Sequence, residues 1–158
     1  MTDQAQEQPE TPFKVIRVKL KHVQIVAPLF DAYRQFYEQP ADVQRAYDYL
    51  YTRISRDESV VFVAIKKSTP LGFIQLYPSF SSVSLKLLWI LNDLYVDADA
   101  RQLGVATALL ERAREFAIKT HAKGLTLQTA TDNKAAQALY EKLGWKNDSE
   151  FFTYYLNV

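Results

Sequence analysis

Leu94-Tyr-Val-Asp-Ala-Asp-Ala-Arg-Gln-Leu-Gly-Val-Ala-Thr-Ala-Leu-Leu110 is the stretch on which the fold of this chain turns. An apolar run leads in, aspartates and small residues break it, and a helical pattern leads out. A strand is therefore expected to pass through a short turn into a helix. Such a turn can hold an anion, because successive backbone N–H groups and the positive end of the helix dipole converge there. Gly104 and Ala106 present almost no side chain to keep a diphosphate away. For Gly104 alone, an ordinary strand-to-helix turn with glycine for geometry is the better reading. The segment is neither a Walker A loop nor a dinucleotide fingerprint. No Gly-Lys-Ser/Thr closes it, and no second and third glycine follow at the required spacing.

Working back from this stretch, Leu85 to Val96 is a long apolar strand interrupted by Asn92 and Asp93, of a length and hydrophobicity that suit the centre of a sheet. Ser59 to Ile65 is β-branched and apolar, Thr69-Pro-Leu-Gly72 has turn chemistry, and Gly72 to Tyr77 reads as the returning arm of a hairpin. Pro78 and the serines around Phe80 read as a loop. Earlier still, Val26 to Glu38 reads as a helix with Val26, Leu29, Phe30, Tyr33 and Tyr37 on its apolar stripe, stopped by Pro40. A second helix follows with Val43, Ala46, Tyr47, Leu50 and Ile54 on one side and Asp42 near its start. Phe13 to Leu20 suggests an edge strand burying Ile16, Val18 and Leu20. Residues 1–12 lack apolar periodicity and read as a loose, disordered tail.

Working forward, a helix is expected from Gly104 to Thr120, burying Ala108, Leu109, Ala113, Phe116 and Ala117. Leu125 to Thr129 alternates as a strand, Asn133 to Leu143 is helical, and Gly144 ends that helix. Trp145 to Val158 is aromatic-rich and strand-like. The order β, α, α, β, β, β, α, β, α, β describes an α/β fold spanning residues 13–158, with one mixed twisted sheet flanked by about four helices.

Composition removes several chemistries. The chain has 158 residues and no cysteine, so disulfides, thiolate nucleophiles and Cys-ligated metals are excluded. His22 and His121 are far apart and neither sits at metal-ligand spacing, so no metal site is expected and both read as structural or solvent-facing. The formal net charge is +1 and the basic residues are dispersed, which argues against nucleic acid as a partner. No apolar stretch is long enough to span a bilayer and the N-terminus is polar, so no membrane partner and a cytoplasmic location are expected.

The spacing Arg101-Gln-Leu-Gly104-Val-Ala106 resembles the Arg/Gln-x-x-Gly-x-Gly/Ala loop of the GNAT family of N-acetyltransferases. Asn133-Lys-Ala-Ala-Gln-Ala-Leu-Tyr140-Glu-Lys-Leu-Gly144-Trp145 resembles that family's Asn-x-x-Ala-x-x-x-Tyr-x-x-x-Gly-Phe helix, with Trp in place of Phe. The resemblance covers roughly Val60 to the C-terminus. It implies acetyl-CoA as co-substrate, with Leu94, Tyr95 and Val96 along its pantetheine arm. Arg101, Gln102, Leu103, Gly104, Val105, Ala106 and Thr107 would lie at its diphosphate. Asn133 and Ala136 would be further cofactor contacts, and the Tyr140 hydroxyl would protonate the departing thiolate. On its helix alone, without the motif, Tyr140 reads first as a core aromatic.

The chemistry so implied needs a proton acceptor, because an alkylammonium must lose a proton before its lone pair attacks a thioester. Polyamine-acetylating relatives often carry Glu where this chain has Asn92, and an amide is no base. Asp93 is the nearest carboxylate, although alternation directs it to the opposite sheet face; it reads as base, substrate anchor or structural group, with water-mediated deprotonation as the other route. Ile90-Leu-Asn-Asp-Leu-Tyr-Val96 and Leu29-Phe-Asp-Ala-Tyr-Arg-Gln-Phe-Tyr37 look most like the histone and polyamine branch. That likeness implies a small-molecule amine or a lysine-containing peptide as acceptor. Asp31, Tyr33, Tyr37, Glu38 and Tyr77 are candidate contacts for its ammonium, or else packing residues. An aminoglycoside acceptor and a non-catalytic acyl-CoA-binding module are the competing readings. The aromatic run Phe151-Phe-Thr-Tyr-Tyr155 exceeds what one strand face needs and suggests a homodimer through the C-terminal region.

Overall fold

The computed structural model describes residues 12–158, so the expected tail lies outside the described residues except for Pro12. In chain order the strands are β1 (Lys14–Arg17), β2 (Val60–Lys66), β3 (Thr69–Ser81), β4 (Lys86–Val96) and β5 (Leu125–Leu127). The helices are α1 (Val23–Phe36), α2 (Val43–Ser55), α3 (Val105–Lys119) and α4 (Lys134–Lys142). The chain divides into two compact units, the first ending at Leu127 and the second running from Gln128 to Val158.

In the first unit the strands lie in sequential order β1 to β5; the pairs from β1 to β4 are antiparallel, and β4 with β5 is parallel. β2 is buried along Val60 to Ile65 because both its faces are covered, which is why its sequence is apolar without alternation. On one face Val61, Val63, Ile65 and Phe73 pack with Val26, Leu29 and Phe30 of α1 and Ala46 and Leu50 of α2. Phe62 and Trp89 meet Phe116 of α3, at ring separations of 5.6 and 5.1 Å, on the other. As expected, β1 is an edge strand, but it ends at Arg17 and Leu20 is exposed in a short 3-10 turn. Val43 and Tyr37 are also exposed, since the first opens α2 and the second lies past the last residue of α1.

Several sequence boundaries move. The β2–β3 turn is Lys67-Ser68, with Lys67 at φ 57°, so Thr69 to Gly72 is strand rather than turn. β3 continues through Pro78 to Ser81 instead of yielding to a loop, because Lys86 to Ile90 of β4 pairs with it throughout. In the second unit no strand forms among Trp145–Val158, where one is expected; the segment makes no ladder, and a strand without a partner is not stable.

α2 starts on Asp42, whose carboxylate accepts the Arg45 backbone N–H at 2.9 Å. His22 accepts the Lys19 backbone N–H through Nδ1 at 3.0 Å, and His121 takes the left-handed position after α3 at φ 55°. Both histidines therefore serve local backbone structure. No helix among the described residues is long and apolar enough to cross a membrane.

Candidate active site

Two features of β4 shape the site. Its pairing with β5 stops at Leu91↔Leu127, so β5 leaves one side of β4 uncovered from Asn92 to Val96. Its pairing with β3 steps from Leu76↔Leu91 to Gln75↔Asp93, which leaves Asn92 as the extra residue of a β-bulge. The bulge resets which face each side chain takes. Trp89 meets α3 through Phe116 and the Thr120 hydroxyl just past its end, whereas Tyr95, an even number of residues on, meets Tyr33 of α1 at 6.3 Å.

The expectation that Asn92 and Asp93 face opposite ways is therefore corrected. The Asn92 amide donates to Asp93 Oδ1 at 3.0 Å, with Asn92 exposed and Asp93 only 4% exposed. The Gln75 amide donates to Asp93 Oδ2 at 2.6 Å, and the Tyr33 hydroxyl also donates to this carboxylate. Burial raises the Asp93 carboxyl above the usual carboxylate range, against the lowering effect of those three donors. Burial likewise pushes the Tyr33 and Tyr77 phenols well above their ordinary value, with the nearby Asp93 charge adding to both. The Tyr77 hydroxyl is 2.8 Å from that of Tyr49 on α2.

Of the acceptor-side candidates, Tyr33 and Tyr77 come together around Asp93. Tyr37 packs on Tyr33 at 5.1 Å, and Glu38 is the left-handed residue that ends α1 at φ 60°. Asp31 is buried and ties α1 to α2, accepting from Arg34, Gln35 and the Asp42 backbone N–H. Sequence patterning does not single out Gln75 or Tyr49. Gln75 does leave a trace, as the one polar residue within the apolar run Phe73 to Leu76.

Beyond Val96, the Asp97 carboxylate accepts the Asp99 N–H at 3.0 Å and shapes a short turn. Gln102 at φ 64° and Gly104 at φ 78° then bend the chain into α3. Val96, Ala100, Arg101, Gln102, Gly104, Val105, Ala106 and Thr107 line a cleft of about 210 Å³. Gly104 caps α3 without a side-chain acceptor, so the first N–H groups of the helix keep their capacity to bind an anion. A Cβ at Gly104 would meet no atom within 4 Å, so the space beside it is open. Leu103 is exposed.

In the second unit Asn133 caps α4, its side chain accepting the Ala136 N–H at 3.2 Å. Gly144, at φ 87°, and Trp145 close the helix by donating to Glu141 and Tyr140 carbonyls, each at 3.0 Å. The Tyr140 ring lies 5.9 Å from that of Trp145. Among the described residues of the chain, no group of three or more His, Cys, Asp or Glu is placed to hold a metal ion.

A mixed sheet whose fourth strand outruns its parallel neighbour and turns into a helix at an anion-ready loop is the framework of an acyltransferase fold. The chain belongs to the acetyltransferase (GNAT) family, whose model matches residues 26–145. It is 44% identical to the uncharacterized N-acetyltransferase YhfO of Bacillus subtilis, over 90% of this chain and 95% of that one. It is 30% identical to a probable acetyltransferase of Haemophilus influenzae, over 84% and 90% of the two chains. A crystal structure of a probable acetyltransferase, 42% identical, superposes with a TM-score of 0.88 over 92% of this chain and 97% of that one. The protein is thus an N-acetyltransferase of the GNAT type.

Proposed function

We propose that this enzyme moves the acetyl group of acetyl-CoA to a primary amine on a small polyamine or an exposed lysine, by direct attack in a ternary complex. The observation that carries this reading is Asp93, a buried carboxyl held above its usual range beside an exposed amide and two tyrosines. A carboxyl raised in this way is a better proton acceptor than an ordinary one, and its charge attracts an ammonium. Tyr33 and Tyr77, kept neutral, add ring faces that favour a cation.

The turn between β4 and α3 fits the diphosphate of CoA: it offers N–H groups without a side-chain cap, a glycine with open space beside it, and the Arg101 cation. When bound, acetyl-CoA would supply the thioester carbonyl. The chain's own groups bind it at Arg101 to Thr107, align it along Leu94 to Val96, and hold the acceptor near Asp93. Asp93 takes a proton from the ammonium and passes it to solvent; the freed lone pair attacks, the C–N bond forms as the C–S bond breaks, and the second proton leaving nitrogen makes good the one that sulfur receives. Tyr140 has the complementary role implied by its motif, donating a proton to sulfur, with Asn133 and Ala136 as further cofactor contacts.

Release of free CoA thiol, followed with spermidine, a lysine-containing peptide and kanamycin in turn, tests the assignment. An acceptor-dependent signal with spermidine or the peptide is expected, and Asp93→Asn should lower kcat by about 10²- to 10⁴-fold. Turnover with kanamycin alone would move the acceptor class to aminoglycosides. Unchanged kcat in Asp93→Asn would leave deprotonation to water.

A further inference from the structure

Among the described residues of the first unit two aspartates are buried, and their surroundings differ in kind. Asp31 accepts from the Arg34 guanidinium at 3.2 Å, the Asp42 backbone N–H at 3.0 Å and the Gln35 amide at 3.1 Å. Two of these three partners, the guanidinium and the backbone N–H, can only donate. Asp93 is met by the Gln75 amide, the Asn92 amide and the Tyr33 hydroxyl. Every one of these can also accept: an amide turned over about its last torsion presents its carbonyl oxygen, and a phenol presents its lone pairs. Such a shell can serve a carboxylate or a carboxylic acid.

Gln75 is the most constrained member. It is fully buried, sits directly across the ladder from Asp93, and its carbonyl oxygen has no hydrogen-bond partner. A buried acceptor left unpaired is costly, and an apolar residue would avoid that cost. The oxygen acquires a use once Asp93 gains a proton, because the reversed amide can then accept the new O–H. We propose that Gln75 is a positioning residue serving Asp93 in both protonation states: its N–H donates to the carboxylate before proton transfer, and its carbonyl accepts from the carboxylic acid afterwards. This rests on the reading of Asp93 as proton acceptor. In the step itself the ammonium N–H bond breaks and the Asp93 O–H bond forms; the proton then leaves to solvent, and no oxidation state changes.

The ionisable groups around Asp93 are few. Tyr33 faces it from α1 with Tyr37 beyond, and Tyr77 faces it from β3. Tyr49 and Arg53 of α2 stand behind Tyr77, with the Arg53 side chain 2.9 Å from Glu58. Burial keeps the Tyr33 and Tyr77 phenols neutral through the working range, so the carboxyl titration lost in Asp93→Asn is that of Asp93.

Gln75→Met keeps the length and the packing but neither donates nor accepts in kind. Two measurements on the full chain read its effect: the 13C carboxyl titration of Asp93, identified by its loss in Asp93→Asn, and kcat/KM against pH with spermidine and acetyl-CoA. A hydrogen bond to the charged carboxylate is stronger than one to the neutral acid, so losing both Gln75 roles costs the ionised form more and should carry the titration and the acid limb to higher pH. On the acid side kcat/KM should fall about tenfold, with the acetyl-CoA KM unchanged. A folded Gln75→Met protein with an unmoved titration and limb would overturn the role of Gln75. Should Gln75→Met fail to fold, Gln75→Glu sets a second carboxyl against the first and should also carry the Asp93 titration upward; no movement there would overturn the proposal. Wild-type turnover in Asp93→Asn sinks the base reading itself. A loss in Asp93→Asn beside an unmoved Gln75 variant sinks only the present inference.

Discussion

Asp93 sets a conflict between stability and chemistry that is visible in a single side chain. In the unfolded chain it would ionise near pH 3.9, whereas burial makes the folded protein hold that proton to higher pH. The folded state therefore draws full benefit from this site below the ordinary carboxyl range, and loses it as pH rises through the folded value and an ionised group must stay buried. Asp93→Asn has no charge to bury at any pH. It should melt a few degrees above the wild type at about pH 7 to 8, with the gap closing towards about pH 4, as followed by circular dichroism across a pH series. Equal melting temperatures at neutral pH would mean that Gln75, Asn92 and Tyr33 fully offset the burial. Sequence flags Asn92 and Asp93 as polar residues in an apolar strand, yet alternation sends them to opposite faces. The bulge that unites them is a mismatch in count between β3 and β4, a property of two strands that neither one displays alone.

Among elements, those with local chemical punctuation are legible in the sequence. Asp42 and Gly144 mark the start of α2 and the end of α4 where the sequence places them, and Gly104 caps α3. The β2–β3 turn is not, because Lys67 takes a left-handed conformation that its side chain does not advertise, and Gly72 draws the turn to itself. The glycine is needed for another reason. A Cβ on Gly72 would lie 2.7 Å from the Tyr95 carbonyl oxygen and 3.1 Å from Val105 Cγ1, so β3 passes β4 and the first turn of α3 too closely for any side chain. Backbone must shift to admit a methyl group, at a cost of about 1–3 kcal/mol. The shift falls on the strand end and helix start that line the cleft proposed for CoA. Gly72→Ala should lower the melting temperature by several degrees and weaken CoA binding in calorimetry. Wild-type values for both would show that α3 moves freely on the sheet.

On the scale of the whole molecule, the two family motifs fall in different units, the loop before α3 in the first and the Asn133 to Trp145 helix in the second. Each is readable as a motif, because glycines, caps and spacing are local. The chain past Trp145 is not, because an aromatic run becomes a strand only when something pairs with it. Phe151, Phe152, Tyr154, Tyr155 and Leu156 are each at least 77% exposed, a run of large apolar side chains left in water. A second copy is the partner we expect to cover it, since a self-complementary patch closes a two-fold dimer and leaves nothing exposed for further growth. Light scattering at micromolar concentration should give twice the mass of the chain, and the pair Phe152→Glu and Tyr154→Glu should return it to one, by placing like charges where the two tails meet. A wild-type monomer under those conditions would leave the segment to pair within its own chain, and the charged variants would then lose melting temperature instead of changing mass.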